Sequence, residues 1–113
     1  MANTGSATFS LDTAHEAAGV VVRVKGELDG MTSPVLRQEL YDLIDDGGRS
    51  FRLDLRAMTY IDSSGLSALL GILRRVKERG GELALVNPRR STLRVFEIAG
   101  LTGLVTIVHE HDS

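Results

Sequence analysis

The sequence contains no cysteine and no tryptophan, and aromatic residues make up only 4% of it. Without cysteine there is no thiolate nucleophile, no cysteine-ligated metal and no disulfide framework, and nothing points to an oxidising compartment. The scarcity of aromatic rings removes the stacking platform on which single-stranded nucleic acid is commonly held. A basic surface is missing too. Thirteen lysines and arginines against 15 aspartates and glutamates give a formal charge of −2, whereas nucleic-acid binding needs a marked excess of cations. No apolar run approaches the ~20 residues that cross a bilayer. The start, MANTGSATFS, has neither the basic opening nor the apolar core of a secretory signal. A cytoplasmic protein with no direct membrane insertion is the expectation.

What is present suits one compact unit. The 113 residues, 42% of them hydrophobic, have the usual size of a single domain. A chain of this length buries roughly two thirds of its unfolded surface, enough to form a core without metal or disulfide.

Periodicity then divides the chain. A short strand is expected at residues 8–11, followed by a polar turn, DTAHEAAG. At residues 20–25, Val20, Val22 and Val24 alternate with Val21, Arg23 and Lys25, which predicts a strand with one face open to water. These two strands are expected to pair antiparallel. After GELDGMT, Ser33 and Pro34 read as N-cap and first helical residue. Leu36, Leu40, Leu43 and Ile44 share a helical face, and Gly47 and Gly48 end it.

FRLDLRA predicts a third strand, with Phe51, Leu53 and Leu55 inward. A second helix follows to about Arg79, with Leu66, Leu69, Leu70, Leu73 and Val76 as its buried stripe. ELALV is the next strand, NPRR a turn, and a third helix runs through Leu93, Phe96 and Ala99 to a C-terminal glycine at Gly100. A last strand is expected at residues 104–108. Strand and helix alternate three times, which implies a mixed, mostly parallel open α/β sheet. Two strands alternate with charged residues, so all helices are expected on one face. In such sheets sites form at the carboxyl ends of the strands. GELDG, YIDSSG and NPRRS are the loops there, so Glu27, Asp29, Asp62, Ser63 and Ser64 should gather on one rim, with Arg89 and Arg90 beside them.

YIDSSGL, residues 60–66, is the chemically richest stretch. Its serines have three readings: nucleophile, phosphoryl acceptor or helix cap. A serine hydrolase needs a base, and His15, His109 and His111 lie in the first turn and the polar tail, off the rim; nor is there a G-x-S-x-G elbow. HEH has the wrong spacing for a metal site, and no G-x-x-x-x-G-K-[ST] loop is present, so no cofactor is expected. The cations of RRVKERG suit the carboxyl end of a helix. Arg89 and Arg90 would instead face an acidic partner on the rim. Ser63 or Ser64 would cap the second helix and contribute ~1 kcal/mol. A helix N-terminus also accepts phosphate, because several N–H groups point outward together. Capping and phosphorylation therefore remain compatible uses of one geometry.

RLDLRAMTYIDSSGL resembles the signature of anti-sigma factor antagonists, bacterial members of the STAS domain family. VVRVKGELDG followed by SPVLRQEL, and GGELALVNPRRSTLRVFEIAGL, resemble two further blocks of that family. The resemblance spans about residues 20–108 of a single domain over 1–113 and implies the STAS fold. It also implies partner switching. The antagonist binds an anti-sigma factor that is itself a serine kinase and so frees a sigma factor. Phosphorylation of the serine after the motif aspartate, here Ser63, ends that binding, and a serine phosphatase restores it. Asp29 matches the acidic position of the neighbouring loop, and Asp62, Ser64 and Gly65 complete the acceptor turn. Gly65 is expected to allow the kinase to approach closely. The resemblance further implies a monomer when free and a regulator rather than an enzyme. The rival within the fold is a scaffold or an accessory subunit of a membrane-lipid transporter. Two features depart from the family pattern: Ser67 stands where glycine is frequent, and only HEHDS follows the last strand, where many members carry another helix.

Overall fold

The computed structural model describes residues 9–110. Among them, β1 (Phe9–Glu16), β2 (Gly19–Leu28), α1 (Ser33–Asp45), β3 (Ser50–Asp54), β4 (Met58–Ile61), α2 (Ser63–Glu78), β5 (Glu82–Val86), α3 (Arg90–Ile98) and β6 (Thr106–Val108) follow in order. The strands form one sheet in the order β1-β2-β3-β5-β6, with β4 also paired to β2. Only β1–β2 is antiparallel; β2 runs parallel to both β3 and β4, and β5 runs parallel to β3 and β6.

The sheet is covered on one face, as the alternation of β2 requires. Val20, Val22, Val24 and Leu28 of β2 share a core with Phe51 and Leu53 of β3 and Leu83 and Leu85 of β5. Leu36, Leu40 and Ile44 of α1, Leu69, Ile72 and Val76 of α2, and Phe96 of α3 close over them. The other face carries ion pairs: Arg23 lies 3.7 Å from both Asp12 and Asp54, and Arg52 pairs with Glu110. No helix among the described residues is long and apolar enough to cross a membrane.

Several expectations need correction. The first strand does not end at Leu11. It continues to Glu16, pairing Asp12 with Arg23 and His15 with Val20, so the polar turn shrinks to Ala17 and Ala18. Polar composition misleads here because β1 is an edge strand with an open face; Thr8 lies outside the described residues. FRLDLRA is strand only to Asp54. The chain then bends and resumes as β4, so that β2 pairs first with β3 and then with β4, the β2–β4 ladder shifting register between Gly26 and Glu27. Gly26 permits that shift with φ of +100°, a backbone other residues rarely take.

In α2 the buried set is Gly65, Ala68, Leu69, Ile72, Leu73 and Val76. Leu70 is not part of it, being 37% exposed. The last strand is shorter than expected, because a 3-10 turn at Leu101–Gly103 precedes it. The basic end of α2 carries partly exposed ion pairs: Arg75 and Arg79 approach Asp45 at 3.8 and 3.3 Å, and Arg75 stacks 4.1 Å from the Tyr41 ring centroid. The tail is anchored at its start, where the Glu110 N–H donates to Asn87 Oδ1 at 2.7 Å; His111 falls outside the described residues.

The shifted stripe of α2 can be tested directly. Leu69→Ala removes a fully buried side chain and should cost about 2–5 kcal/mol in urea unfolding, whereas Leu70→Ala should cost under about 1 kcal/mol.

Candidate functional site

Three parallel strands, β2, β4 and β5, end at the same edge of the sheet, and the loops that leave them form the rim. The first, after β2, is folded by Asp29. Its Oδ1 accepts the N–H groups of Met31 at 3.0 Å and Thr32 at 3.1 Å. The Thr32 hydroxyl accepts from Asp29 N at 2.9 Å and donates to the Glu27 carbonyl at 2.7 Å. Asp29 O takes Ser33 N at 2.8 Å, so the loop runs straight into α1. The N-cap of α1 is Thr32, and the expected cap, Ser33, is instead its first residue and buried. The N–H of Met31 foremost, then that of Thr32, holds the Asp29 carboxyl below its usual 3.8.

The second loop is a single tight step from β4 into α2. Asp62 N donates to the Leu28 carbonyl of β2 at 3.2 Å, and Leu66 N donates to Asp62 O at 3.0 Å. The N-cap is Asp62: its φ of −117° and ψ of −170° are extended, and its Oδ1 accepts Gly65 N at 3.0 Å. The capping role assigned to Ser63 or Ser64 therefore belongs to their acidic neighbour. Serine and aspartate are both good caps, and the backbone conformation decides between them. Ser63 and Ser64 become the first two helical residues, with Ser63 exposed and Ser64 half-buried.

Gly65 is buried, and the close approach it permits lies within the molecule. A Cβ on it would stand 2.7 Å from both the Leu28 carbonyl oxygen and Ile61 Cγ1. The structure thus replaces the expected approach of a kinase with packing of α2 onto β2 and β4.

The rim unites most of the residues placed there from sequence. Glu27 and Leu28 pair with Tyr60 and Ile61, and a Cβ on Gly30 would lie 3.7 Å from Ser64 Oγ. Glu27, Asp29, Asp62, Ser63 and Ser64 are therefore neighbours across two adjacent loops. Arg89 and Arg90 open α3 on the same edge. Arg89 is turned toward the β3–β4 bend, its Nε donating to the Arg56 carbonyl at 3.0 Å, while Arg90 is exposed. Sequence reasoning missed Met31, which is 87% exposed in the loop after β2, and Tyr60, which is 50% exposed at the end of β4. Met31 carries a sequence signal of its own, as a large apolar residue in a loop that belongs to no buried stripe. Among the described residues, no three His, Cys, Asp or Glu side chains converge as a metal ion requires.

Two predictions follow from this local chemistry. Asp62→Ala should lose ~1 kcal/mol with the cap, and Gly65→Ala about 1–3 kcal/mol by overpacking. Ser63→Ala should stay within about 0.5 kcal/mol of wild type; thermal melts of the three variants check all of these. Asp29 adds a pH dependence. Its folded pKa is depressed, so its contribution is present above the unfolded value near 3.8 and is lost as pH falls through the lower folded value. Asp29→Asn keeps a side-chain acceptor and should flatten that acid limb in denaturant titrations.

The comparisons with known proteins agree with this geometry. A STAS domain family model matches residues 10–113. The anti-sigma-B factor antagonist of Bacillus subtilis (strain 168) is 34% identical over 99 residues, covering 88% of this chain and 90% of that protein. That of Staphylococcus aureus (strain NCTC 8325 / PS 47) is 32% identical over 99 residues, covering 88% and 92%. Among solved structures, an anti-sigma factor antagonist from Mycobacterium paratuberculosis has a TM-score of 0.80 at 24% identity, covering 88% of this chain and 85% of its own. The Bacillus cell fate determinant SpoIIAA in its phosphorylated form has a TM-score of 0.72 at 26% identity, covering 92% of each chain. With a family model matching residues 10–113 and relatives at 32–34% identity over most of its length, the chain belongs to the STAS domain family.

Proposed function

We propose that the protein is an anti-sigma factor antagonist, a cytoplasmic regulator rather than an enzyme, switched by phosphorylation of Ser63. The observation that carries this reading is the division of roles in the acceptor turn. Asp62 satisfies the helix end through Gly65 N, which leaves the exposed Ser63 hydroxyl free of any capping duty. Relatives named anti-sigma-B factor antagonists support the assignment. A scaffold or lipid-transporter subunit is less well supported, since the relatives at 32–34% identity carry the antagonist name.

In the unphosphorylated state the rim binds an anti-sigma factor with serine kinase activity, and the sigma factor that kinase had held is released. Glu27, Asp29, Asp62, Ser63 and Ser64 form one part of the contact, and Arg89 and Arg90 meet acidic groups at its margin. Gly65 contributes by holding the turn in place. The kinase transfers the γ-phosphoryl of ATP to Ser63 Oγ, and the proton of the hydroxyl leaves to a base on the kinase.

The product carries about −1.5 to −2 charges at neutral pH. The N–H groups at the start of α2 accommodate that charge locally, so the fold is retained. The partner is affected differently. Phosphoserine beside Asp62, Asp29 and Glu27 makes the rim strongly anionic and repels a kinase that itself holds nucleotide phosphates. Every ~1.4 kcal/mol lost is a tenfold weakening, so a few such units eject the partner. A serine phosphatase restores the binding form, which is monomeric when free.

Incubation with anti-sigma kinases and ATP, followed by phosphosite mapping, should place the phosphate on Ser63. Ser63→Ala should bind the kinase without being modified. Ser63→Asp should bind at least about 100-fold more weakly by calorimetry, the equivalent of ~2.8 kcal/mol. Wild-type affinity in Ser63→Asp, or no transfer from any such kinase, would contradict the proposal.

A further inference from the structure

A groove of about 710 Å³ lies between β1 and α1, outside the acceptor turn. Leu11, Pro34 and Val35 give it an apolar lining, and Glu39 and Asp42 of α1 add two carboxylates, with no lysine or arginine among the described residues that line it; Asp12 also borders it, but its carboxylate lies 3.7 Å from Arg23 on the opposite face of the sheet. The groove is a fixed feature: Thr13 Oγ1 donates to Glu39 Oε2 at 2.7 Å, bridging strand and helix, and Gln38 Nε2 donates to Asp42 Oδ1 at 2.8 Å. One wall, β1, is the terminal strand of the sheet among the described residues and pairs there with β2. The other begins at Pro34, three residues after Met31, whose side chain is 87% exposed and whose N–H is held by Asp29. The groove thus starts where the rim ends.

We propose that this groove is a second docking site for the anti-sigma kinase, receiving a segment that carries apolar side chains flanked by lysine or arginine. The inference rests on the reading of the chain as that kinase's partner. Charge complementarity selects the occupant: an apolar lining with carboxylates and no internal cation favours a basic amphipathic segment. A second copy of the chain is disfavoured on the same ground, because a two-fold contact would set the same carboxylates against one another. Ser63 is not among the residues that line the groove, so docking there governs how tightly the kinase holds its substrate and not how fast the phosphoryl group moves. It also leaves the phosphorylated chain with a residual, salt-sensitive affinity that the charge on Ser63 does not abolish.

The test uses a kinase shown to phosphorylate the wild-type chain on Ser63 and the double variant Gln38→Lys/Asp42→Lys. Both side chains are exposed, so the fold should persist, and circular dichroism verifies it. The expected result is a KM for phosphorylation raised about tenfold with kcat unchanged, and a matching loss in Kd that shrinks at high salt. A KM within about twofold of wild type would overturn the docking site while leaving Ser63 phosphorylation, and with it the proposed function, intact. Failure of every anti-sigma kinase to modify the wild-type chain would overturn both. Concentration-dependent dimers of the free chain that the double variant abolishes in sedimentation would assign the groove to a second copy and overturn the proposal.

Discussion

The rim depends on how closely the first turn of α2 lies against the end of β2. Leu28 is the fixed point. Its carbonyl takes the Asp62 N–H at 3.2 Å, and the same oxygen would meet any side chain at Gly65. Only glycine lets the helix start at that depth, and only a helix starting there brings Ser64 beside Gly30 of the neighbouring loop. The side-by-side placement of the two loops, one from β2 and one from β4, follows from this contact. Moving α2 outward by even the width of a methyl group would separate Ser63 and Ser64 from Asp29 and break the hydrogen bond that aligns Asp62.

Under the proposed function, the same contact accounts for a phosphate on Ser63 that the fold would tolerate and a partner would not. Asp62 satisfies the helix end from outside, and the Asp29 carboxylate independently ties down its own loop through Met31 N and Thr32 N. Neither arrangement draws on the Ser63 hydroxyl, so modifying that hydroxyl breaks no internal bond. A surface organised before binding spends little entropy on association. Its affinity is then set by complementarity of charge and shape, which under the proposed function one phosphate on Ser63 would alter.

Much of this was legible in the sequence, for identifiable reasons. The alternation in β2 exposes one sheet face by strict period, and the sheet has helices on the other. The YIDSSG and GELDG loops share an edge because their strands are parallel. The misreadings came where local pattern is ambiguous. After Leu55 the apolar spacing changes from two to three, through Met58 and Ile61, and the strand period is lost at the bend that separates β3 from β4. The flanking Thr59 and Tyr60, both good strand formers, are the signal that could have recovered it. In α2, leucine outranks alanine as a core marker, yet Ala68 is buried and Leu70 is not, because the smaller residue lets the helix pack close. The choice of Asp62 over Ser63 as cap turns on a difference of one residue in backbone conformation, which composition does not encode. Gly65 was recognised as a site of close approach, but which body approaches is decided by the packing of Leu28 and Ile61.

The central claim is that phosphorylation changes the charge of a preformed surface and leaves the surface itself in place. Amide NMR spectra of the Ser63-phosphorylated and unmodified chains test it most directly. The account predicts shift changes confined to residues 27–32 and 60–67, with helical carbon shifts retained from Ser63 onward. Loss of helical shifts in the first turn of α2, or changes spreading through β3 and β5, would contradict it and make the switch conformational.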